Sequence, residues 1–269
     1  SLQCLEIIDL SRNQLKGVDE IEFARLPRLR QLFLSMNNIE GLSEMAFHNS
    51  SQLQHLDLSH NKLERIGERT FEGLSRIEWL NLDHNQLSEL PETLFDRSRL
   101  QMLENVILSN NNFEVAPLKA LQRQYFFVNF VDLSHNKLRE IPNDDSTMIN
   151  VKKLDLSYNP LSEEAIKNLL SEPKTIRELN LAGTNLTTIT SLETPFLQSL
   201  NLSNNRISTI NEAIFDRASL LETLDLSNNQ IKNFKTLSMV WPKLPLLQSL
   251  NLSNNPFETI VQGDFDNLE

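Results

Sequence analysis

The sequence predicts an α/β solenoid: a parallel β-sheet on a concave face, one short strand per turn, with loops, short turns and an occasional helix on the convex side. Three observations carry that prediction. The nine residues LQSLNLSNN stand at 197–205 and again, letter for letter, at 247–255. Written as L-x-x-L-x-L-x-x-N-x-L, the same pattern fits eleven times along the 269 residues. Its asparagine position falls at Asn13, Asn37, Asn61, Asn85, Asn111, Asn136, Asn159, Thr184, Asn205, Asn229 and Asn255. A second marker follows in phase. Phe23, Phe47, Phe71, Phe95, Phe215 and Phe265 each stand ten residues after their repeat's asparagine, which random placement of only fourteen phenylalanines does not produce. Steps of 21 to 26 residues between asparagines match one turn of a repeat array.

Each part of the repeat has a physical role. In L-x-L the side chains alternate, so Leu56 and Leu58 point inward while Asp57 points out, as one short strand. Asparagine offers both donors and an acceptor, so at a tight bend it satisfies backbone groups that burial would otherwise strand. Its recurrence builds a ladder. The phenylalanines fill the wider convex side, and each turn buries its leucines only against neighbouring turns, as a one-dimensional stack.

Departures from the pattern predict departures in structure. Leu121, Ser146, Leu169, Thr194 and Met239 replace the phenylalanine in repeats five to eight and ten. The run SEEAIKNLL at 162–170 has a serine cap, two glutamates in its first turn and a stop before Pro173, so it predicts a convex helix. APLKALQRQ at 116–124, with proline near its start, is a second helical pattern. Thr184 cannot make all of asparagine's hydrogen bonds, which predicts an irregularity near the short 21-residue step. Residues 1–269 read as a single solenoid of eleven repeats without terminal caps, and the expectation is a piece of a longer array. Cys4 occupies a variable position, equivalent to Arg28, Gln52 and Arg76, and is expected to be at least partly exposed.

The pattern resembles the leucine-rich repeat family over essentially the whole chain, and steps near 24 with a phenylalanine spine are similar to the class found in animal extracellular proteins. That resemblance implies a curved horseshoe. The run TMINVKKLDLSYNPLSEEAIKNLL and its continuation to residue 205 resemble chaoptin-like adhesion proteins of insect photoreceptors. What this implies is homophilic adhesion at the extracellular face of the plasma membrane, with a lipid anchor outside this sequence. The alternative is the ectodomain of a Toll-like pattern-recognition or signalling receptor, which shares the repeat class.

Composition excludes other classes. A formal charge of −11 repels a polyanion, so nucleic acid is not an expected partner at neutral pH. Cys4, the single cysteine, allows no internal disulfide and no cysteine-based zinc site. No cofactor is implied: six glycines supply no phosphate loop. No catalytic residue is assigned, because Asp57, Ser59 and His60 recur as Asp132, Ser134 and His135 within the repeat's own DLSHN. His60 and His84 share one position in adjacent repeats, about 5 Å apart, with His55 nearby; the expectation is solvated polar side chains and no metal, which a zinc titration checks.

The outward strand positions point to recognition. Ile7, Phe33, Trp79, Ile107 and Phe130 have no inward role on this template, and exposed aromatics among polar groups form protein-binding hot spots. The expected partner is a protein, including another copy of this chain, with membrane attachment only through parts outside this sequence. Asn49, Asn185, Asn201 and Asn251 begin glycan acceptor motifs, the last two on the strand face, where sugars would shield the C-terminal part.

Overall fold

A computed structural model describes residues 2–19, 23, 26–96, 100–122, 128–142, 151–170, 175–190 and 192–265. They fall into two compact units, one running to Lys137 and the other from Leu138 onward. In the first unit, parallel strands follow one another in chain order: β1 (Ile7–Asp9), β2 (Gln31–Phe33), β3 (His55–Asp57), β4 (Trp79–Asn81), β5 (Asn105–Ile107) and β6 (Val128–Asp132). In the second they are β7 (Val151–Asp155), β8 (Glu178–Asn180), β9 (Ser199–Asn201), β10 (Thr223–Asp225) and β11 (Ser249–Asn251). Each predicted strand is present, and equivalent positions of successive repeats stand opposite one another, as in Leu32, Leu56 and Leu80. Leu56 and Leu58 are fully buried, and Asp57 between them is half-exposed.

The asparagine ladder explains why one polar residue recurs in an apolar interior. Asn61 Nδ2 donates to Leu58 O at 3.0 Å, Ser59 O at 3.1 Å and, one repeat back, Leu34 O at 3.0 Å. Its Oδ1 accepts the Ile39 N–H at 3.0 Å. Asn37, Asn85, Asn111 and Asn136 repeat this arrangement, so each of these rungs ties its own bend to the previous turn. The residue before each rung is left-handed: Arg12, Met36, His60, His84, Asn110, His135, Tyr158, Asn204, Asn228 and Asn254 have φ between 49° and 58°. Asparagine and histidine tolerate that region better than most residues. Gly183 fills the slot at φ 66°, where an added Cβ would stand 2.6 Å from the Tyr158 ring.

Replacing Asn61 with alanine is expected to cost about 1–3 kcal/mol, the penalty of one orphaned buried donor. Leu34 O keeps the Asn37 amide, Leu58 O keeps Asn85 and Ser59 O keeps the Met36 N–H, but the Ile39 N–H loses its acceptor. Amide exchange at Ile39 in the variant should therefore accelerate, while that of Ile231 in the second unit stays slow.

Thr184 produces the predicted irregularity, and the next rung repairs it. Its hydroxyl donates to Leu181 O at 2.8 Å, while Asn205 Oδ1 accepts both the Thr184 and Leu186 N–H groups at 3.0 Å. The shortened step brings one acceptor within reach of two donors.

On the return arm, Phe47 stacks between Phe23 and Phe71, with ring centroids 6.4 and 6.1 Å apart. Leu121, Leu169 and Thr194 fill the equivalent place and are buried; Ser146 lies outside the described residues. Repeat ten differs from the sequence reading. Met239 is 54% exposed, and Trp241, 1% exposed, takes the interior place, donating its Nε1–H to Asp264 O at 3.0 Å. The helix α3 (Phe234–Ser238), capped by Asn233 Oδ1 on the Lys235 N–H, shifts the interior register and was not predicted. The two predicted helices exist as α1 (Leu118–Gln122) and α2 (Glu163–Leu170). In α2, Ser162 Oγ accepts the Ala165 N–H at 3.0 Å, and Ala165, Ile166, Leu169 and Leu170 face the interior. Cys4 is exposed, as its variable position implied. Among the described residues no helix is long and apolar enough to cross a membrane.

Candidate functional site

Strand register sorts the outward side chains of the first unit into two rows. One row runs Ile7, Gln31, His55, Trp79, Asn105 and Phe130, and the other Asp9, Phe33, Asp57, Asn81, Ile107 and Asp132. The predicted binding residues therefore share one face but form two groups. Ile7 and Phe33 lie diagonally on β1 and β2; Trp79, Ile107 and Phe130 lie diagonally on β4, β5 and β6. Between them, on β3, stand His55 and Asp57, and the His55 and Trp79 rings are 6.0 Å apart. Ile7 is 56% exposed and the other four are half-buried, so each keeps apolar surface available to a partner.

The second unit carries the same slots with different chemistry. Lys153 Nζ pairs with Glu178 Oε1 at 2.8 Å, Asn180 Nδ2 donates to Asp155 Oδ2 at 2.8 Å, and Asn251 Nδ2 to Asp225 Oδ2 at 3.1 Å. These three pairs link outward side chains across neighbouring strands. A partner would have to break those pairs, whereas on the first unit it covers apolar surface at no such cost.

The residue between the two leucines also has a local duty. Asp9, Asp57, Asn81, Asp132, Asp155, Asn180, Asn201, Asp225 and Asn251 each accept, through Oδ1, the backbone N–H two residues on. This turn closure is why aspartate or asparagine recurs there. It also accounts for Asp57 beside Ser59, a resemblance to catalytic machinery that the fold explains without chemistry. Of the glycan acceptors, Asn49, Asn185 and Asn251 are exposed and Asn201 is half-buried.

Two surface features escaped the sequence reading. Met36, 45% exposed, occupies the left-handed slot three residues after Phe33, and its departure from the usual asparagine or histidine was the available signal. Asp83 stands where the other repeats place serine or alanine. Its Oδ1 accepts from Ser109 Oγ at 2.9 Å and Asn110 Nδ2 at 3.0 Å, and its Oδ2 lies 2.7 Å from His84 Nδ1 and 3.9 Å from His60 Nε2. Partial burial alone would raise this carboxyl, but the hydrogen bonds from His84, Asn110 and Ser109 outweigh it and hold the group below the usual carboxylate range.

This geometry recurs in known proteins. The family model described as leucine rich repeat matches residues 1–39, 34–87, 174–231 and 195–257, and a second leucine-rich-repeat model matches 150–171. The chain belongs to the leucine-rich repeat family. Among curated leucine-rich repeat relatives, tsukushi of Gallus gallus is 37% identical over 144 residues, 52% of this chain and 38% of that protein. Osteomodulin of Rattus norvegicus is 30% identical over 51% of this chain and 32% of its own length. Chaoptin of Drosophila melanogaster is 28% identical over 51% of this chain and 10% of its own. The chain thus spans well under half of each relative. Among solved structures, Toll in the Drosophila Toll–Spatzle complex superposes with a TM-score of 0.72 at 24% identity, over 96% of this chain and 34% of that one. The leucine-rich repeat domain of APL1B gives 0.64 at 25% identity, over 93% and 70%.

Proposed function

We propose that this chain is a non-enzymatic protein-recognition module of a cell-surface protein, acting in cell adhesion by binding another copy of itself. The observation that carries this reading is the contrast between the two strand faces. Ile7, Phe33, Trp79, Ile107 and Phe130 present apolar surface on the first unit, while the equivalent positions of the second unit are polar, with Lys153–Glu178, Asp155–Asn180 and Asp225–Asn251 paired across strands. The resemblance of residues 147–205 to chaoptin-like proteins supports adhesion as the setting, and chaoptin itself is among the relatives. Nucleic acid is a weaker partner class for a chain of net charge −11, although one similar structure is a TLR13–ssRNA13 complex. Clustering of beads coated with the protein tests the reading, because multivalent display detects self-affinities too weak for solution dimerisation. Beads carrying wild-type protein should cluster; beads that stay dispersed would turn the reading to a receptor ectodomain with a different ligand.

Glycosylation at Asn201 and Asn251 would shield the strand face of the second unit and leave binding to the first unit or the flanks, since both lie on strands of the second. Peptide mapping before and after enzymatic deglycosylation should show Asn201 and Asn251 modified in protein secreted from eukaryotic cells. Unmodified side chains at both positions would remove the shield and leave the binding face resting on apolar content alone.

A further inference from the structure

We propose that His60, Asp83 and His84 form a binding site for a first-row divalent cation of the zinc type. The ligand atoms of these three side chains all lie within 4.8 Å of one another. A tetrahedral zinc ion with bonds of about 2.0–2.1 Å sets its ligand atoms roughly 3.3 Å apart, so small rotamer adjustments complete the site. Two imidazoles and one carboxylate suit zinc, copper or nickel better than the all-oxygen preference of magnesium or calcium.

The fold prepares this arrangement at three points. His60 and His84 occupy the left-handed slot of adjacent repeats, at φ 52° and 49°, and their rings stack with centroids 4.1 Å apart. Asp83 is dispensable to the repeat, since the slot holds serine in most turns and Ala182 in another. Its two oxygens divide their work: Oδ1 is fixed by Ser109 and Asn110, and Oδ2 faces both histidines. Such outer contacts orient a carboxylate ligand and lower the cost of ordering it on binding. In the metal-bound state His84 Nδ1 gives up its hydrogen bond to Oδ2, and the ion takes the place of that proton. With His60 and His84 exposed, the fourth coordination position is open to water or to a donor group from a partner.

Zinc chloride titrated calorimetrically into the purified chain near neutral pH should bind with a stoichiometry of one. His60→Asn combined with His84→Asn places at both positions the residue found in that slot at Asn110, Asn204, Asn228 and Asn254, so the fold is retained. This double variant should lose the site, and Asp83→Ala should bind at least tenfold more weakly. Alanine is chosen because serine at 83 would create a glycan motif with Asn81. Proton NMR should show the His60 and His84 ring signals shifting together as zinc is added. An isotherm without heat in the wild type, or one unchanged in the double histidine variant, overturns the proposal.

Discussion

Replacing Phe71 with alanine is expected to lower the unfolding free energy by about 3–5 kcal/mol, the range for deleting a buried phenyl ring and leaving part of its cavity unfilled. Phe71 is 1% exposed and stacks on Phe47, itself 1% exposed and stacked on Phe23. Because each turn contacts only its neighbours, no distant part of the stack moves in to close the gap. Met239 is the informative control. It stands ten residues after Asn229, as Phe71 does after Asn61, so the repeat pattern alone ranks the two positions alike. The structure separates them, since Met239 points to solvent and Trp241 occupies the interior. Met239→Ala should therefore cost less than about 1 kcal/mol, as for an ordinary surface substitution. Trp241→Ala should cost about as much as Phe71→Ala. Urea unfolding at constant m-value reads all three. Equal midpoints for the Phe71 and Met239 variants would sink the spine argument.

That comparison also marks where the sequence is legible. The inward leucines and the asparagine rungs are set by contacts that recur in every turn, so spacing along the chain exposes them, whereas the helix behind Ser162 shows through its own cap and Thr184 through the break it makes in the asparagine column. Repeat ten resists the same reading because Asn233 starts a helix inside a long step, and the helix moves the interior position to Trp241. The left-handed residue before every rung was open to inference from its run of asparagines, histidines and a glycine. Asp83 was open to it as well, as the one acidic residue in a column of serines. What no column shows is which carboxylate oxygen faces which ring. That depends on Ser109 and Asn110 in the following turn, which pull Oδ1 aside and leave Oδ2 to the histidines. The proposed binding residues lie between these cases: the pattern places all five on one face, and register between strands splits them into two groups around His55 and Asp57.

Phe33→Ser combined with Trp79→Ser is expected to abolish bead clustering. Buried aromatic anchors at protein interfaces are commonly worth 2 kcal/mol or more each, so losing two lowers affinity by well over tenfold. Serine serves better than aspartate here for an electrostatic reason. A carboxylate at position 33 would stand in register between Asp9 and Asp57, and three like charges on neighbouring strands about 4.8 Å apart would strain the sheet itself. Lost clustering could not then be distinguished from lost folding. With serine, both side chains shrink on the solvent side of the strands, and the leucines that hold the turns stay in place. The matched control is Lys153→Ser with Glu178→Ser, which removes the 2.8 Å ion pair from the slot on the second unit equivalent to Trp79. An exposed pair of this kind contributes about 1 kcal/mol or less, so the control should fold and should still cluster. Clustering that survives the aromatic substitutions would move the interface off the first unit's strand face. Clustering lost in both variants would show that the two faces are not distinguished by their apolar content, and the contrast on which homophilic binding is argued would fail.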